Sequence, residues 1–599
     1  MLRSVTRPLT LRSGLRPLAA VAALLLVLTG CSPSSTPSDT ETEPGTVEPA
    51  PAEPTPDPSP PDEDATAAPR PSPEPEPDPE PAPPPVPAGR DEVIERVGEL
   101  LAAAQGELGR ADLAVLVTDE YGRELGAVEA DAPVVPASTL KIVTAASALL
   151  ALGPQERLVT RVDATAPIDA AGVLDGTLVM VGSGDPTLAT PEYGRWIYPA
   201  RPRTPLEALA DQLVESGLRR VTGGVRAVAP GFAGPTEANG WLPRYFANFD
   251  ARYVAGLTVD AGLATSIRWP ELERERAESE PEPQEDADAD ADADAAPLEP
   301  ITIPLTGTRE EIEQRLAGLD PPLARVEVVA DPRLQAAAEL ARLLGERGVE
   351  VDGGVEATSG AGVAGVAGLA QVESPPLVDI LRFAVQRSDN HLTDQLFHVV
   401  AHHTTGAASW GRGERAVHGL LGDLGIATDG LHLADGSGLS RDDRVTARLL
   451  VELDRAMWNG PHARDWASLQ AVAGESGTLR TRLRGTPAAG RFFGKTGTLN
   501  DVTGLTGAMV GDDGTRYHLA VVGNAAEGED RWVVRALMDE LALVLAADVQ
   551  GCTIAAAPSP PAVGDGDGDG DGDEDATATT EPSEPATGPL GRPPTVVVC

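Results

Sequence analysis

The amino-acid sequence predicts an α+β fold, in which an antiparallel sheet is flanked by helices and accompanied by a helical subdomain and an inserted β-rich domain. Residues 91–161 and 331–550 each combine apolar helix patterns with pairs of strand-like runs, so a single antiparallel sheet would unite the two segments. Between them, residues 162–330 contain frequent glycines and short strand-like runs. That composition predicts an inserted β-rich domain.

The first folded segment begins with a helix pattern and continues as a hairpin. Residues 91–105 place apolar side chains at helical spacing. Residues 113–131 read as two strands joined by a tight turn. Pro136 then ends the extended chain, and a strongly apolar helix is predicted to open at Ser138.

The later segment supplies the remaining strands and helices. Residues 491–511 and 515–524 alternate in the manner of antiparallel strands, and residues 530–547 form the pattern of a closing helix. Helix patterns over residues 331–348 and 377–403 predict the helical subdomain.

The acidic residues are concentrated in three segments of the chain. Much of the net charge of -45 lies in residues 32–90, 278–299 and 552–599, and the remainder is only moderately acidic. The stretch 278–299 is predicted to be disordered because it is acidic and of low complexity. Binding to nucleic acid is not expected, because a phosphate backbone calls for basic stripes.

The N-terminal residues have the features of an export signal. Residues 1–30 carry four arginines, a short apolar run and the sequence Leu-Thr-Gly before Cys31, which is typical of a lipoprotein signal peptide cleaved before an acylated cysteine. An ordinary signal peptide or an uncleaved anchor is the alternative. Residues 31–90, rich in Pro and Glu, are predicted to be a disordered tether. We therefore expect an exported protein, anchored through lipid on Cys31 at the outer face of the cell membrane, next to the cell wall.

Residues 551–599 form an acidic tail rich in Gly, Asp and Pro. Its Gly-Asp repeats lack the ligand order of a calcium loop, so a solvated tail is expected. Cys552 and Cys599 flank the tail and would either pair in an oxidising exterior or remain free thiols.

Three histidines, His391, His398 and His402, share one face of a predicted helix. No acidic residue lies between the last two, so the zinc-protease pattern is absent and a polar helix face is expected. No metal site and no cofactor are predicted.

The chain uses lysine at only two positions, Lys141 and Lys495, among 47 basic residues. Arginine is used at every other basic position, so we expect these two sites to require a property that a guanidinium lacks. An ammonium can release its proton, and a guanidinium essentially never does. The two lysines are therefore candidate catalytic residues.

Ser138 and Lys141 lie three residues apart at the predicted start of a helix, so their side chains can meet. A serine hydroxyl becomes a good nucleophile when a neighbouring base takes its proton. Lysine can be that base if apolar surroundings and a second cation lower its pKa, and Lys495 is the expected second cation. The spacing alone is a weak signal, but lysine is almost absent from this chain.

Two further motifs contain candidate residues. Ser388-Asp389-Asn390 falls between two helix patterns, where it would either cap a helix or supply a proton relay through Ser388 and hydrogen bonds to a substrate amide through Asn390. Lys495-Thr496-Gly497-Thr498 falls on a strand, where Gly497 would let a substrate approach the backbone. The alternative for the latter motif is a plain edge strand.

The three motifs, in this order, resemble those of β-lactamases and penicillin-binding proteins. The runs Gly182 to Leu188, Asp435 to Ala447 and Ser476 to Leu483 narrow the resemblance to the low-molecular-mass penicillin-binding proteins that act as D-alanyl-D-alanine carboxypeptidases and endopeptidases. These carry domains inserted between the first and second motifs. The implied fold is a β-lactamase/transpeptidase-like sheet, and residues 91–161 and 331–550 would form the catalytic domain.

The resemblance also implies a role for each motif residue. Ser138 would be the acylated nucleophile and Lys141 its base, and Ser388, Asn390 and Lys495 would complete the proton and hydrogen-bond network. The backbone N–H groups of Ser138 and Thr498 would form the oxyanion hole, and the hydroxyls of Thr496 and Thr498 would hold the substrate carboxylate.

The implied substrates are peptidoglycan stem peptides, and β-lactam antibiotics would be inhibitors. A β-lactamase, or a non-catalytic wall-sensing or penicillin-binding lipoprotein, is the alternative. The chain departs from the family pattern at Thr393 and Asp394, where a small residue and Glu are expected. Asp185 and the run Asp435 to Arg441 read as tight turns.

Overall fold

The structure is a computed structural model that describes residues 90–109, 111–268, 323–358, 366–556, 589–590 and 595–599. The expected signal peptide, Cys31, the tether before residue 90, the acidic stretch 278–299 and most of the tail lie outside these residues. Within the described ranges, no helix combines the length and apolarity needed to cross a bilayer.

The strands are β1 (Asp112–Asp119), β2 (Glu124–Val128), β3 (Val159–Ala164), β4 (Val173–Leu174), β5 (Thr177–Val181), β6 (Leu188–Ala189), β7 (Thr204–Pro205), β8 (Arg220–Val221), β9 (Gly224–Val228), β10 (Leu263–Arg268), β11 (Leu323–Val328), β12 (Glu350–Val351), β13 (Val355–Thr358), β14 (Val366–Glu373), β15 (Ala471–Val472), β16 (Phe492–Thr498), β17 (Thr503–Val510), β18 (Arg516–Asn524), β19 (Thr553–Ala556) and β20 (Thr595–Val598).

The α-helices are α1 (Arg90–Glu107), α2 (Lys141–Leu152), α3 (Glu207–Glu215), α4 (Pro243–Ala247), α5 (Pro332–Glu346), α6 (Leu377–Arg387), α7 (Asn390–Thr405), α8 (Trp410–Asp423), α9 (Ala447–Asn459), α10 (Ala463–Leu469) and α11 (Glu529–Gln550). Short 3₁₀ turns span Ala137–Leu140, Asp260–Gly262 and Gly477–Leu479, and a π-helical turn spans Tyr193–Ile197.

A six-stranded antiparallel sheet of order β15-β16-β17-β18-β1-β2 joins the two ends of the folded part. Seven of the eight residues of β1 are buried, because both faces of the sheet are covered. Val115 and Val117 pack in a core with α1 and α11, whereas Ala114 and Leu116 pack on the opposite face with α2 and α9. This layered arrangement confirms the predicted α+β fold class.

A second, five-stranded mixed sheet of order β13-β9-β5-β3-β14 lies in the region between the first two motifs. Helices α3 and α5 pack against it, and Leu209 and Leu340 are fully buried in the shared core. The expected insertion covers residues 162–330, but the sheet also takes β13 and β14 from the segment after residue 330. Helical periodicity in α5 does not reveal which sheet the helix covers.

The end of the chain returns to the folded part as a strand. β19 and β20 pair antiparallel, and a disulfide joins Cys552 to Cys599. Of the two states that the sequence left open for these cysteines, the structure has the paired one.

Candidate active site

The serine of the first motif lies in a tight turn rather than in the first turn of an α-helix. Ser138 is the second residue of the 3₁₀ turn Ala137–Leu140, and α2 begins only at Lys141. Ala137 has a φ of 49°, a strained conformation for a residue with a side chain. Ser138 is partly exposed, whereas Thr139 and Leu140, the next two residues of the turn, are buried.

The ammonium group of Lys141 is enclosed by three oxygen atoms. Its Nζ lies 3.0 Å from Ser138 Oγ, 2.6 Å from Asn390 Oδ1 and 2.7 Å from the Ser437 carbonyl oxygen. The side chain is 0% exposed. The first and second motifs therefore meet at this lysine, as their predicted roles require.

Lys495 makes a second serine–lysine pair on the other side of the second motif. It lies on β16 and is 0% exposed. Its Nζ donates to Ser388 Oγ at 3.0 Å and to the Thr496 carbonyl oxygen at 2.7 Å. The second motif therefore bridges the two lysines, with Asn390 on Lys141 and Ser388 on Lys495.

The second motif caps a helix, which confirms the capping interpretation of its sequence, and the relay and substrate roles of Ser388 and Asn390 stay predictions. Ser388 ends α6 in the left-handed conformation with a φ of 58°. Asp389 is the N-cap of α7 and accepts a hydrogen bond from the Leu392 N–H. Its other oxygen pairs with Arg201 at 2.5 Å. The caps fix the backbone that directs Ser388 and Asn390 towards the lysines.

The third motif packs closely against the turn that carries Ser138. A Cβ atom on Gly497 would lie 2.8 Å from the Pro136 carbonyl oxygen and 3.1 Å from Thr139 N. The space beside Gly497, which the sequence assigned to a substrate, is therefore filled by the turn. Thr496 Oγ1 donates to Thr478 Oγ1 at 2.8 Å, and Thr498 is exposed at the end of β16.

Burial lowers the pKa of Lys141 to about 8, and the carboxylates of Asp394 and Asp435 oppose this effect. Burial also brings the pKa of Lys495 well below its usual range, and the charge of Lys141 lowers it further. The sequence predicted that Lys495 lowers the pKa of Lys141, whereas the structure has burial as the main cause of that shift and has the charge of Lys141 lowering the pKa of Lys495.

The loop after Asp435 contributes to the site in a way that the sequence did not reveal. The Asp435 carboxylate accepts hydrogen bonds from the backbone N–H groups of Ser437, Gly438 and Ser440, and from Trp241 Nε1 at 2.8 Å. The expected tight turn is present, and it also places the Ser437 carbonyl against Lys141. In the sequence, only the run from Asp435 to Ala447 indicated this loop, and no pattern indicated its partner Trp241.

Asp394, the departure from the family pattern, is fully buried and accepts a hydrogen bond from the Gly436 N–H at 3.0 Å. Burial raises the pKa of Asp394 well above its usual range, and the neighbouring Asp435 adds to the effect. Asp394 thus supports the same loop that contacts Lys141.

The three histidines of α7 are not a polar face, which corrects the expectation. His391 and His398 are buried, and the ring of His398 packs edge-on against Trp410. His402 stacks on Phe232 with ring centroids 4.9 Å apart. Across the described part of the chain, no group of His, Cys, Asp and Glu side chains is arranged to hold a metal.

In the penicillin-binding serine hydrolases, a strand that carries a lysine lies against a serine–lysine pair at the start of a helix. The fold and the site place this chain in that class. The chain belongs to the D-Ala-D-Ala carboxypeptidase 3 (S13) family, whose sequence profile matches residues 96–545. It is a serine-type D-Ala-D-Ala carboxypeptidase, which confirms the activity that the motifs predict.

Two curated relatives and one solved structure illustrate the similarity. The D-alanyl-D-alanine carboxypeptidase of Actinomadura sp. (strain R39) is 32% identical over 451 residues, which cover 69% of this chain and 78% of the relative. A carboxypeptidase of Mycobacterium tuberculosis is 30% identical over 450 residues, covering 74% and 82%. Penicillin-binding protein 4 of Haemophilus influenzae matches the fold with a TM-score of 0.55 and 22% identity, covering 72% of this chain and 94% of that protein.

Because β16 lies close to the serine turn, a single methyl group added at Gly497 should strongly slow the acylation of Ser138. We expect Gly497→Ala to slow acylation by a fluorescent penicillin more than tenfold, because its Cβ would meet the backbone oxygen of Pro136, which cannot yield without moving the turn. Gly504→Ala is the matched control on the adjacent strand, since its Cβ would meet the Thr139 methyl group at 3.0 Å. Equal acylation rates for the two variants would contradict this account.

Proposed function

We propose that the enzyme cleaves the D-Ala-D-Ala bond of peptidoglycan stem peptides through an acyl-enzyme on Ser138. The observation that carries this proposal is the environment of Lys141 Nζ. A neutral amine has two N–H groups and one lone pair, and two of its three neighbours, Asn390 Oδ1 and the Ser437 carbonyl oxygen, can only accept. The lone pair is left for the Ser138 hydroxyl, which can donate.

In the first step, Ser138 Oγ attacks the carbonyl carbon of the penultimate D-Ala and its proton passes to Lys141 Nζ. The backbone N–H groups of Ser138 and Thr498 stabilise the oxyanion. The C–N bond then breaks, and the proton held by Lys141 passes by way of Ser388, which is hydrogen-bonded to Lys495, to the amine of the terminal D-Ala, so Lys141 is neutral again.

In the second step, water attacks the ester carbonyl of the acyl-enzyme and gives a proton to the neutral Lys141. The ester C–O bond then breaks and Lys141 returns the proton to Ser138 Oγ, which releases the shortened peptide and restores the serine and the neutral lysine. The hydroxyls of Thr496 and Thr498 hold the terminal carboxylate of the substrate before cleavage, and Thr496 turns its proton from Thr478 to this carboxylate when the substrate binds. Asn390 has one N–H free for the substrate amide, because its oxygen accepts from Lys141 and its other N–H donates to the Asp250 carbonyl oxygen at 2.9 Å.

A β-lactam presents a carbonyl and a carboxylate in the same relation to each other as the substrate does, so it would acylate Ser138 and leave slowly.

One set of measurements separates this function from the two alternatives. Release of D-alanine from a pentapeptide, turnover of nitrocefin and the lifetime of a labelled-penicillin adduct are measured on the same enzyme. We expect D-alanine release and a long-lived adduct. Fast nitrocefin turnover would favour a β-lactamase, and a stable adduct without release of D-alanine would favour a non-catalytic binder or a pure endopeptidase.

Replacing either lysine by arginine should remove most of the activity. A guanidinium keeps a positive charge but cannot accept the proton of Ser138, so we expect Lys141→Arg to reduce acylation by about 10²- to 10⁴-fold. Lys495→Arg should reduce release of D-alanine by a similar factor. The control is the opposite substitution at the surface, Arg96→Lys on α1, where the arginine pairs with Glu99. It should leave the rates of acylation and of D-alanine release unchanged. A near-normal rate of acylation in Lys141→Arg, or of D-alanine release in Lys495→Arg, would contradict the proposed mechanism.

The pH dependence of acylation should report the titration of Lys141. Its pKa in the folded enzyme is about 8, so Lys141 is protonated and unable to act as a base below this pH, and neutral above it. We expect the acylation rate with benzylpenicillin to rise with pH between 6 and 8 and to level off above about 9. A profile that is flat over this range, or that falls as pH rises, would be incompatible with Lys141 as the base.

We propose that the enzyme is exported and held at the outer face of the cell membrane by lipid on Cys31. The basic and apolar pattern of residues 1–30 and the Leu-Thr-Gly-Cys sequence support this location. In cells fed a labelled fatty acid, the label should appear on the wild-type protein and be lost from Cys31→Ser. Cys552→Ser should keep the label, and a labelled Cys31→Ser protein would refute the proposal.

A further inference from the structure

A buried carboxylate outside the three motifs, that of Asp454, joins separate elements of the catalytic domain. Asp454 lies on α9, and its Oδ2 is 2.7 Å from Nδ1 of His518 on β18. Its Oδ1 accepts hydrogen bonds from Trp466 Nε1 at 2.8 Å and from Gln470 Nε2 at 3.1 Å. All four side chains are buried, and the chemistry proposed for Ser138 uses none of them.

The hydrogen bonds of Asp454 indicate that its carboxylate is ionised. An ionised carboxylate can only accept, and the indole of Trp466 and the amide nitrogen of Gln470 can only donate. His518 Nε2 is buried and has no hydrogen-bond partner among the described residues, so the proton of the neutral ring is better placed on Nδ1, where Asp454 accepts it. Three donors therefore surround one buried negative charge, and loss of that charge would leave them poorly satisfied.

Gln470 connects Asp454 to the strand that carries Lys495. It follows α10 and directly precedes β15. In the sheet, Ala471 of β15 pairs with Gly494 of β16, which is the residue before Lys495. The position of Gln470 therefore fixes the edge strand that lies beside Lys495.

Gln470 also contacts the helix that ends at Ser388. Gln386 is in the last turn of α6, two residues before Ser388. Its Nε2 donates to the Gln470 carbonyl oxygen at 3.1 Å and to the Ser468 carbonyl oxygen at 3.2 Å. The two elements that supply the Ser388–Lys495 pair thus meet at one residue, which Asp454 holds in place.

We propose that Asp454, Gln470 and Gln386 are positioning residues for the Ser388–Lys495 pair and keep Ser388 Oγ where it can pass a proton to the leaving amine. This inference rests on the proposed function, because the relay through Ser388 is part of the proposed mechanism. The 3.0 Å contact between Lys495 Nζ and Ser388 Oγ joins residues 107 apart in the chain, so it depends on the relative placement of α6 and β16. A displacement of about 1 Å between these elements would interrupt the relay.

The test compares two leaving groups. An amine needs a proton to leave, whereas a thiolate leaves without one, and Lys141 then gives its proton to water. The substrates are a pentapeptide ending in D-Ala-D-Ala and its thioester analogue, in which sulfur replaces the nitrogen of the scissile bond. The quantity measured is kcat/KM, which reports acylation, and it is expressed per active site counted with labelled penicillin. Partial unfolding then lowers the count of sites and not the rate.

Gln386→Met removes both hydrogen bonds of the amide and keeps the length of the side chain. We expect kcat/KM for the peptide to fall about tenfold to a hundredfold, and that for the thioester to fall at most about threefold. Asp454→Asn, which would place an amide N–H against the His518 N–H, should show the same selective loss. Because both residues act through Gln470, the double variant should lose less than the product of the two single losses.

The matched control is Gln212→Met on α3. Its amide also makes two hydrogen bonds to backbone, both with Gln371, and it should leave the rates with both substrates unchanged. Ser388→Ala is the reference variant and should show the largest difference between peptide and thioester.

Equal losses for the two substrates in Gln386→Met and Asp454→Asn would overturn the positioning role, and so would normal peptide rates in both. A selective loss in Ser388→Ala without one in these two variants rejects the positioning role alone. Equal losses in Ser388→Ala reject the relay and the positioning role with it. Failure of the wild type to release D-alanine, or to label Ser138 with penicillin, rejects the proposed function.

Discussion

The contact between Lys141 and its three oxygen neighbours is the constraint on which the rest of the site depends. A buried amine is costly unless its hydrogen bonds are made, and the three partners come from distant parts of the sequence: the serine turn, the start of α7 and the loop after Asp435. The amine can hold its position only when all three parts are folded together. The fold of the catalytic domain therefore also sets the hydrogen bonds of Lys141, the proposed base.

Close backbone approach is what brings those parts within reach. Gly497 lets β16 lie against the serine turn, and Gly438 lets the Asp435 loop reach the same turn from another side, since a Cβ there would be 1.9 Å from the Ala137 carbonyl oxygen. Ala137 itself is held in a strained conformation between these two neighbours. The partly exposed position of Ser138 thus results from packing on both sides of the turn and not from helix geometry alone.

Local patterns in the sequence predicted most strands and helices and picked out the five candidate side chains that the structure brings together, because spacing, periodicity and the scarcity of lysine are all visible in one dimension. They did not predict that β13 and β14 join the second sheet, or that Trp241 anchors the Asp435 loop. Such pairings join residues far apart in the chain, and the sequence around one partner contains no pattern that identifies the other. Gly497 was identified, but the close neighbour that explains it could be found only in the folded structure.

The segment containing Trp241 and Asp250 belongs to the region between the first two motifs, yet it reaches the catalytic centre. It touches the centre through a backbone carbonyl on Asn390 and an indole N–H on Asp435. A backbone contact does not depend on the side chain at that position, so Asp250 and its neighbours can vary while Asn390 stays in place. Side chains of this segment can therefore adjust which peptide is accepted, and the serine–lysine chemistry beneath them is preserved.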